Sequence, residues 1–117
     1  MTNSMQKGKR GEREWANYLK SKGFTEVRRG QQYNGLDGED VVGLPHIHNE
    51  VKRVEKLVLW PSIEQSQNDA NADQTPIVAH RPNRKPWIVI MYADDFIELY
   101  KKAYPTEGRQ TVLEELE

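Results

Sequence analysis

Cysteine is absent from the 117 residues, which excludes a disulfide framework and any thiolate chemistry. No apolar run comes near the roughly 18 residues that a membrane-crossing helix needs. The opening stretch, MTNSMQKGKRGERE, has no apolar core of the kind a signal peptide carries. Internal repeats, low-complexity tracts and linker-like segments are missing too. With 36% apolar and 30% charged residues, the expectation is one small soluble, cytoplasmic domain over residues 1–117 with a modest core and no membrane partner. Its core is expected at about 7–103, and residues 104–117 read as a tail, either a short helix or disordered.

The net charge of −1 hides an asymmetry. Residues 1–60 hold eleven Lys/Arg against eight Asp/Glu, a balance of +3, whereas residues 61–117 hold six against ten, a balance of −4. The clusters KGKR and RRG in the first half are dense enough to meet phosphate or simply to solvate a surface.

Periodicity predicts a helix over 8–22, where Trp15, Tyr18 and Leu19 fall at i, i+3 and i+4 and Gly23 supplies a stop. FTEVRR (24–29) reads as a strand, GQQYNGLDGE as a loop, and DVVGL and IHNEVKRV as two strands of a hairpin turned at PH. PSIEQSQNDANADQ predicts a second helix over about 61–72, and TPIVAHR and PWIVIMYA two strands buried on both faces around RPNRKP. DDFIELYKKAY places acids first and lysines last, as a helix dipole favours. The order α-β-β-β-α-β-β-α makes this an α/β chain in which a mixed sheet is flanked by helices. Trp60 and Trp87 are read as core residues.

Some polar residues fit a packing role poorly. Glu12 shares the apolar face of the first helix, three residues before Trp15, whereas Glu14 points elsewhere and reads as a solvated surface residue. On the strand 47–54, alternation sends His48, Glu50 and Lys52 to one face and Ile47, Asn49, Val51 and Arg53 to the other. A surface ion-pair ladder would show the same pattern. Asp40, ten residues before Glu50, heads the preceding strand, and a hairpin would bring the two carboxylates together. Two acids held close repel each other, and a divalent cation with oxygen preference is a reason to hold them so. Mg²⁺ suits such a pair, and a lysine beside it can orient or deprotonate a water and steady charge on a phosphate. His46 and His48 invite zinc, but no third histidine or cysteine stands at a ligand spacing, His80 being distant in sequence.

KGKRGERE with Glu12, EDVVGL with Asp40 and NEVK with Glu50 and Lys52 together resemble the PD-(D/E)XK nuclease superfamily. Within it they are most similar to the archaeal-type Holliday junction resolvases and their small phage-encoded relatives. Those relatives also look similar through EKLVLWPSIEQSQNDA and PIVAHRPNRKPWIVIMYADDF, so the resemblance covers about residues 7–100. It implies a single-domain restriction-endonuclease-like fold and a Mg²⁺-dependent DNA endonuclease, Mn²⁺ substituting, acting on branched or four-way DNA. Asp40 and Glu50 would bind the metal, Glu12 would bind it directly or through water, and the metal set would include Val51 between the acid and the lysine. Lys52 would be the catalytic lysine, and the following helix would supply a glutamine, Gln65 or its neighbour Gln67. Glu39 stands where the superfamily has proline, and the loop 30–38 lacks the serine of several archaeal resolvases, which bears on junction preference.

On this reading Lys7, Lys9, Arg10, Arg28, Arg29 and Arg53 would deliver phosphates to the metal, with Arg81, Arg84 and Lys85 as a second cluster. Cutting two strands symmetrically with one site per chain implies a homodimer. The rivals are a structure-tolerant nickase or repair nuclease with the same site, a non-catalytic DNA-binding module, and an RNA-directed nuclease.

Overall fold

The computed structural model describes residues 4–30 and 40–105. Helix α1 spans Ser4–Ser21, and strands β1 (Arg28–Arg29), β2 (Val41–Val42) and β3 (Ile47–Lys52) follow. Helix α2 (Leu59–Asp69), strands β4 (Thr75–His80) and β5 (Ile88–Ile90) and helix α3 (Ala93–Ala103) complete the chain. The expected element order is the order found. The five strands lie in sequence order, β1 to β5, every neighbouring pair antiparallel except β3 and β4, which run parallel across the α2 crossover.

One helix covers each face of the sheet. Trp15, Ala16 and Leu19 of α1 bury against Val27, Val41, Ile77 and Ala79, with Ile47, Val51 and Trp87 packed beside them. Trp87 lies 4.9 Å from Trp15, ring centre to ring centre, and so belongs to the core as expected. Tyr18 sits at the edge of the stripe, stacked on Trp15 with the Lys22 ammonium over its other side. On the opposite face Ile63 and Ser66 of α2 are buried, and the Ser66 hydroxyl donates to the Ile77 carbonyl at 2.9 Å. Asn49, 0% exposed, ties the α1 layer together: its Oδ1 accepts from the Trp15 indole at 2.9 Å and its Nδ2 donates to the Val41 carbonyl at 3.4 Å.

Helix α1 begins at Ser4, one turn before the predicted start, and ends in a Schellman turn. The amide of Phe24 reaches the Leu19 carbonyl and that of Gly23, at φ 104°, reaches Lys20. That turn consumes residues expected to be strand, so 24–29 shrinks to Arg28–Arg29. Helix α2 starts two residues before Pro61 and stops at Asp69 rather than 72. The Asn71 side chain accepts from the Asp73 amide, and Gln74 from that of Asn71, in a local turn that competes with the helix. Trp60, read as core, is 64% exposed, because it falls on the outer side of α2's first turn.

Strand β4 is buried as predicted, but β5 is not. It pairs only with β4, and Ile88 and Val89 are 49% and 50% exposed. Pro76 is tolerated inside β4 because the Thr75 amide faces β3, bonding the His46 carbonyl at 2.7 Å, so position 76 faces the side where β5 has not yet begun. The loop 31–39 and the tail 106–117 lie outside the described residues. No helix among the described residues is long and apolar enough to cross a membrane.

Two glycines separate the demands of the backbone. Gly43, at φ 93°, follows β2, and a Cβ there would run into the Glu26 carbonyl. Gly8 lies on α1 with open space where its Cβ would be. Gly43→Ala is expected to lower stability by about 2 kcal/mol or more. Gly8→Ala is expected to raise it by about 0.5–1 kcal/mol. Urea unfolding of both variants beside the wild type measures the contrast.

Candidate active site

The register of β2 against β3 builds the site. Val41 pairs with Asn49, so the residue before it, Asp40, lies across from Glu50. Val41 and Asn49 face α1, and alternation therefore turns both carboxyls to the α2 face. The Asp40 carbonyl still accepts from Gly30 at 2.9 Å, while its Oδ2 accepts the Val51 amide at 2.7 Å. A side chain thus takes a bond that the strand ladder would otherwise make, and it fixes Asp40 beside Glu50.

Glu50 is 3% exposed. Burial first, and then the Asp40 charge, push its carboxyl from the usual 4.5 up to about 8, against the pull of Lys52. Asp40 is also raised, chiefly by burial, although the Val51 amide, a hydrogen bond from Glu50 and the Lys52 and His48 charges oppose this. A side-chain hydrogen bond between the two acids lowers Asp40 and raises Glu50, so the titrations of the pair are linked. Lys52, half-buried, extends the same face, and its carbonyl accepts from the Arg81 amide at 3.3 Å.

Glu12 reaches this group from α1. Its carboxyl is raised by burial and then by the Asp40 charge, and Arg29, whose Nε donates to Glu12 Oε2 at 2.8 Å, works in the opposite direction. Asp40 therefore lies within electrostatic reach of each of the other sequence-predicted residues, Glu12, Glu50 and Lys52. Val51 contributes its backbone alone: the amide holds Asp40 and the side chain packs against the core.

The two candidate glutamines lie on different flanks of α2. Gln67 accepts a hydrogen bond from the Tyr92 hydroxyl at 3.1 Å. Gln65 precedes Asp69 by one turn, and Asp69 is close enough to raise the Glu50 carboxyl further, so Gln65 occupies the flank that overlooks the acids. Asp69 and the buried His48 are residues that motif spacing missed. The signal for Asp69 was its place on the helix three residues after Ser66.

The basic residues divide. Glu14, read as a solvated surface acid, is a hub: Arg53 Nε donates to it at 3.1 Å and Arg81 Nη1 donates to it as well. Alternation carries Arg53 to the α1 face, away from Glu50 and Lys52, and its Nη1 caps the Arg81 carbonyl at 3.0 Å. Arg81 also donates to the Lys85 carbonyl at 2.6 Å. Arg53 and Arg81, expected to meet phosphate, are thereby engaged in joining α1 to the ends of β3 and β4, and Arg29 is engaged by Glu12. Lys9 is part-exposed near Glu12, while Arg10, Arg28, Arg84 and Lys85 are exposed. Lys7 lies on α1 with its side chain outside the described residues.

Among the described residues no three His, Cys, Asp or Glu side chains converge into a ready-made cage. His46 lies in the turn before β3 at φ 68°, whereas His48 is buried within the strand. The Asp40–Glu50 pair nonetheless fits Mg²⁺, an oxygen-seeking ion that keeps several waters and needs only one or two carboxylates. A cation would take the place of the Glu50 proton.

The same pair makes a prediction. In the folded chain Glu50 keeps its proton up to about pH 8, whereas unfolded it ionises near 4.5. The native state thus binds more protons between these values, and stability must fall as pH rises through that window. In EDTA the unfolding temperature is expected to drop by on the order of 10–15 °C between the two ends of the window. Glu50→Gln should flatten the slope, as calorimetry across pH will show. No protein-family model, no curated protein and no solved structure matches this chain.

Proposed function

We propose that this chain is a Mg²⁺-dependent endonuclease of the PD-(D/E)XK type that hydrolyses phosphodiester bonds in DNA. The observation that carries the reading is the acid pair, Asp40 and the buried Glu50, set opposite each other on β2 and β3 and coupled to Lys52. A protein that only needed to pack would gain by replacing two buried, mutually repelling acids. Their retention suits a site whose charge is completed by a cation. The order of Glu12, Asp40, Glu50 and Lys52 on helix, strand and strand agrees with that superfamily, as does the helix-flanked mixed sheet.

Asp40 and Glu50 would hold the metal, Glu12 would reach it directly or through water, and the Val51 carbonyl would complete the protein's share. Bound Mg²⁺ would supply Lewis-acid polarisation of the phosphate and a more acidic water. Glu50 would have to be ionised to hold the cation, its proton passing to solvent. Lys52 holds the attacking water or steadies the negative charge on the phosphoryl oxygens, and burial strengthens that interaction. Gln65 overlooks the same acids and orients the substrate or water. Lys9, Arg10, Arg28, Arg84 and Lys85 hold backbone phosphates, contacts that position DNA without reading its sequence. The resemblance to Holliday junction resolvases selects branched, four-way DNA as the substrate.

Cleavage of a labelled four-way junction and of a linear duplex, in Mg²⁺ and in EDTA, tests the reading. Paired Mg²⁺-dependent cuts in the junction are expected. Lys52→Ala should slow them on the order of 10²–10³-fold, and Glu50→Ala should abolish them. Equal cutting of both substrates would replace the junction preference by a structure-tolerant nuclease. Binding without cutting in any divalent metal would refute the enzyme.

A further inference from the structure

Helix α3 is out of place for a folded chain. It is strongly amphipathic, yet none of its residues is buried. Phe96, Ile97, Leu99, Tyr100 and Tyr104 are each 46–55% exposed. At 3.6 residues per turn they occupy one arc of roughly 160°. Phe96, Tyr100 and Tyr104 form a continuous aromatic row, with ring centres 6.4 and 5.1 Å apart. Eleven residues make a helix too short to persist in water without tertiary packing.

The charged residues identify what covers it. Asp94 and Lys101 lie along one edge of the apolar arc, and Asp95 and Lys102 along the other, the acids in the first turn and the lysines in the last. In an antiparallel pair related by a two-fold axis, each edge meets the same edge of its mate, with the direction reversed. A second α3 centred near Glu98 therefore sets Asp94 against the partner's Lys101 and Asp95 against the partner's Lys102 on both flanks, with the aromatic rows between them. Residues 106–117, TEGRQTVLEELE, carry four acids and one arginine and match the lysine end alone. A copy of the helix matches both ends.

We propose that α3 is the surface through which two copies of this chain associate, as an antiparallel helix pair. The inference goes beyond the chemistry of the acid pair and does not depend on it. The apolar faces supply on the order of 500 Å² per copy, about 1,000 Å² for the pair, the lower end of what a specific interface buries. The charges at either end fix orientation.

Sedimentation velocity on the full chain over about 1–100 μM tests this. The wild type is expected to be a dimer in that range. D94K/D95K makes both edges of the apolar arc basic and K101E/K102E makes both acidic, so each should weaken self-association on the order of ten- to a hundredfold. An equimolar mixture of the two should dimerise again, because each helix then meets its complement. Asp94, Lys101 and Lys102 are exposed and Asp95 is half-buried, and far-ultraviolet circular dichroism verifies that the domain stays folded, any loss of helix being limited to the eleven residues of α3. A monomeric wild type would overturn the proposal, as would variants that dimerise like the wild type or a mixture that stays monomeric.

Discussion

The short bond from the Val51 amide to the Asp40 carboxylate is the constraint on which the site depends. Strand β2 is only two residues long, too little ladder to fix its own head against β3. Asp40 extends the pairing with its side chain, and in doing so brings a carboxyl into a buried place opposite Glu50. The interaction that completes the sheet is thus the one that creates the electrostatic difficulty. A carboxylate pair of this kind stands only with a proton or a cation between its members. Fold stability consequently depends on the protonation of this pair, and Glu12 adds a third acid at the border, moderated by Arg29.

The alternation of β3 then separates two polar systems that occupy consecutive residues. Asn49 and Arg53 face α1, where Trp15 and Glu14 satisfy them. His48, Glu50 and Lys52 face α2. The first system is a scaffold of paired donors and acceptors, and the second holds charge in excess of its partners. This division separates the basic residues as well: Arg29, Arg53 and Arg81 are paired with the half-buried carboxylates of Glu12 and Glu14, whereas Arg10, Arg28, Arg84 and Lys85 remain exposed.

Much of this was legible in the sequence because it depends on periodicity and on local turn chemistry. All eight elements follow from apolar spacing and glycine stops, and the pairing of Asp40 with Glu50 follows from a hairpin of ordinary length. What escaped depends on how faces are covered. The run PWIVIMYA looks buried, but whether a strand is central or at an edge is decided by partners elsewhere in the chain, and none flanks β5 on its outer side among the described residues. Trp60 looks like core, but its position on the first turn of α2 turns it outward. Glu14 looks solvated because its arginine partners stand 39 and 67 residues away. The different flanks of α2 on which Gln65 and Gln67 lie became visible through the Tyr92 bond to Gln67, which spacing does not show.

Helix α2 carries the argument from the acids to the outer surface. One flank brings Asp69 to Glu50, and the other receives the Tyr92 hydroxyl, whose residue immediately precedes α3. The same rigid helix therefore registers the start of α3 relative to the acid pair, and β5 reaches that start through only Met91 and Tyr92. If α3 pairs with a copy of itself, the two acid pairs of the dimer acquire a defined separation, set by α2 and the helix pair rather than by a flexible tether. A substrate with two equivalent phosphodiester bonds would then be selected by distance and symmetry, properties of assembled backbone, rather than by contacts to bases.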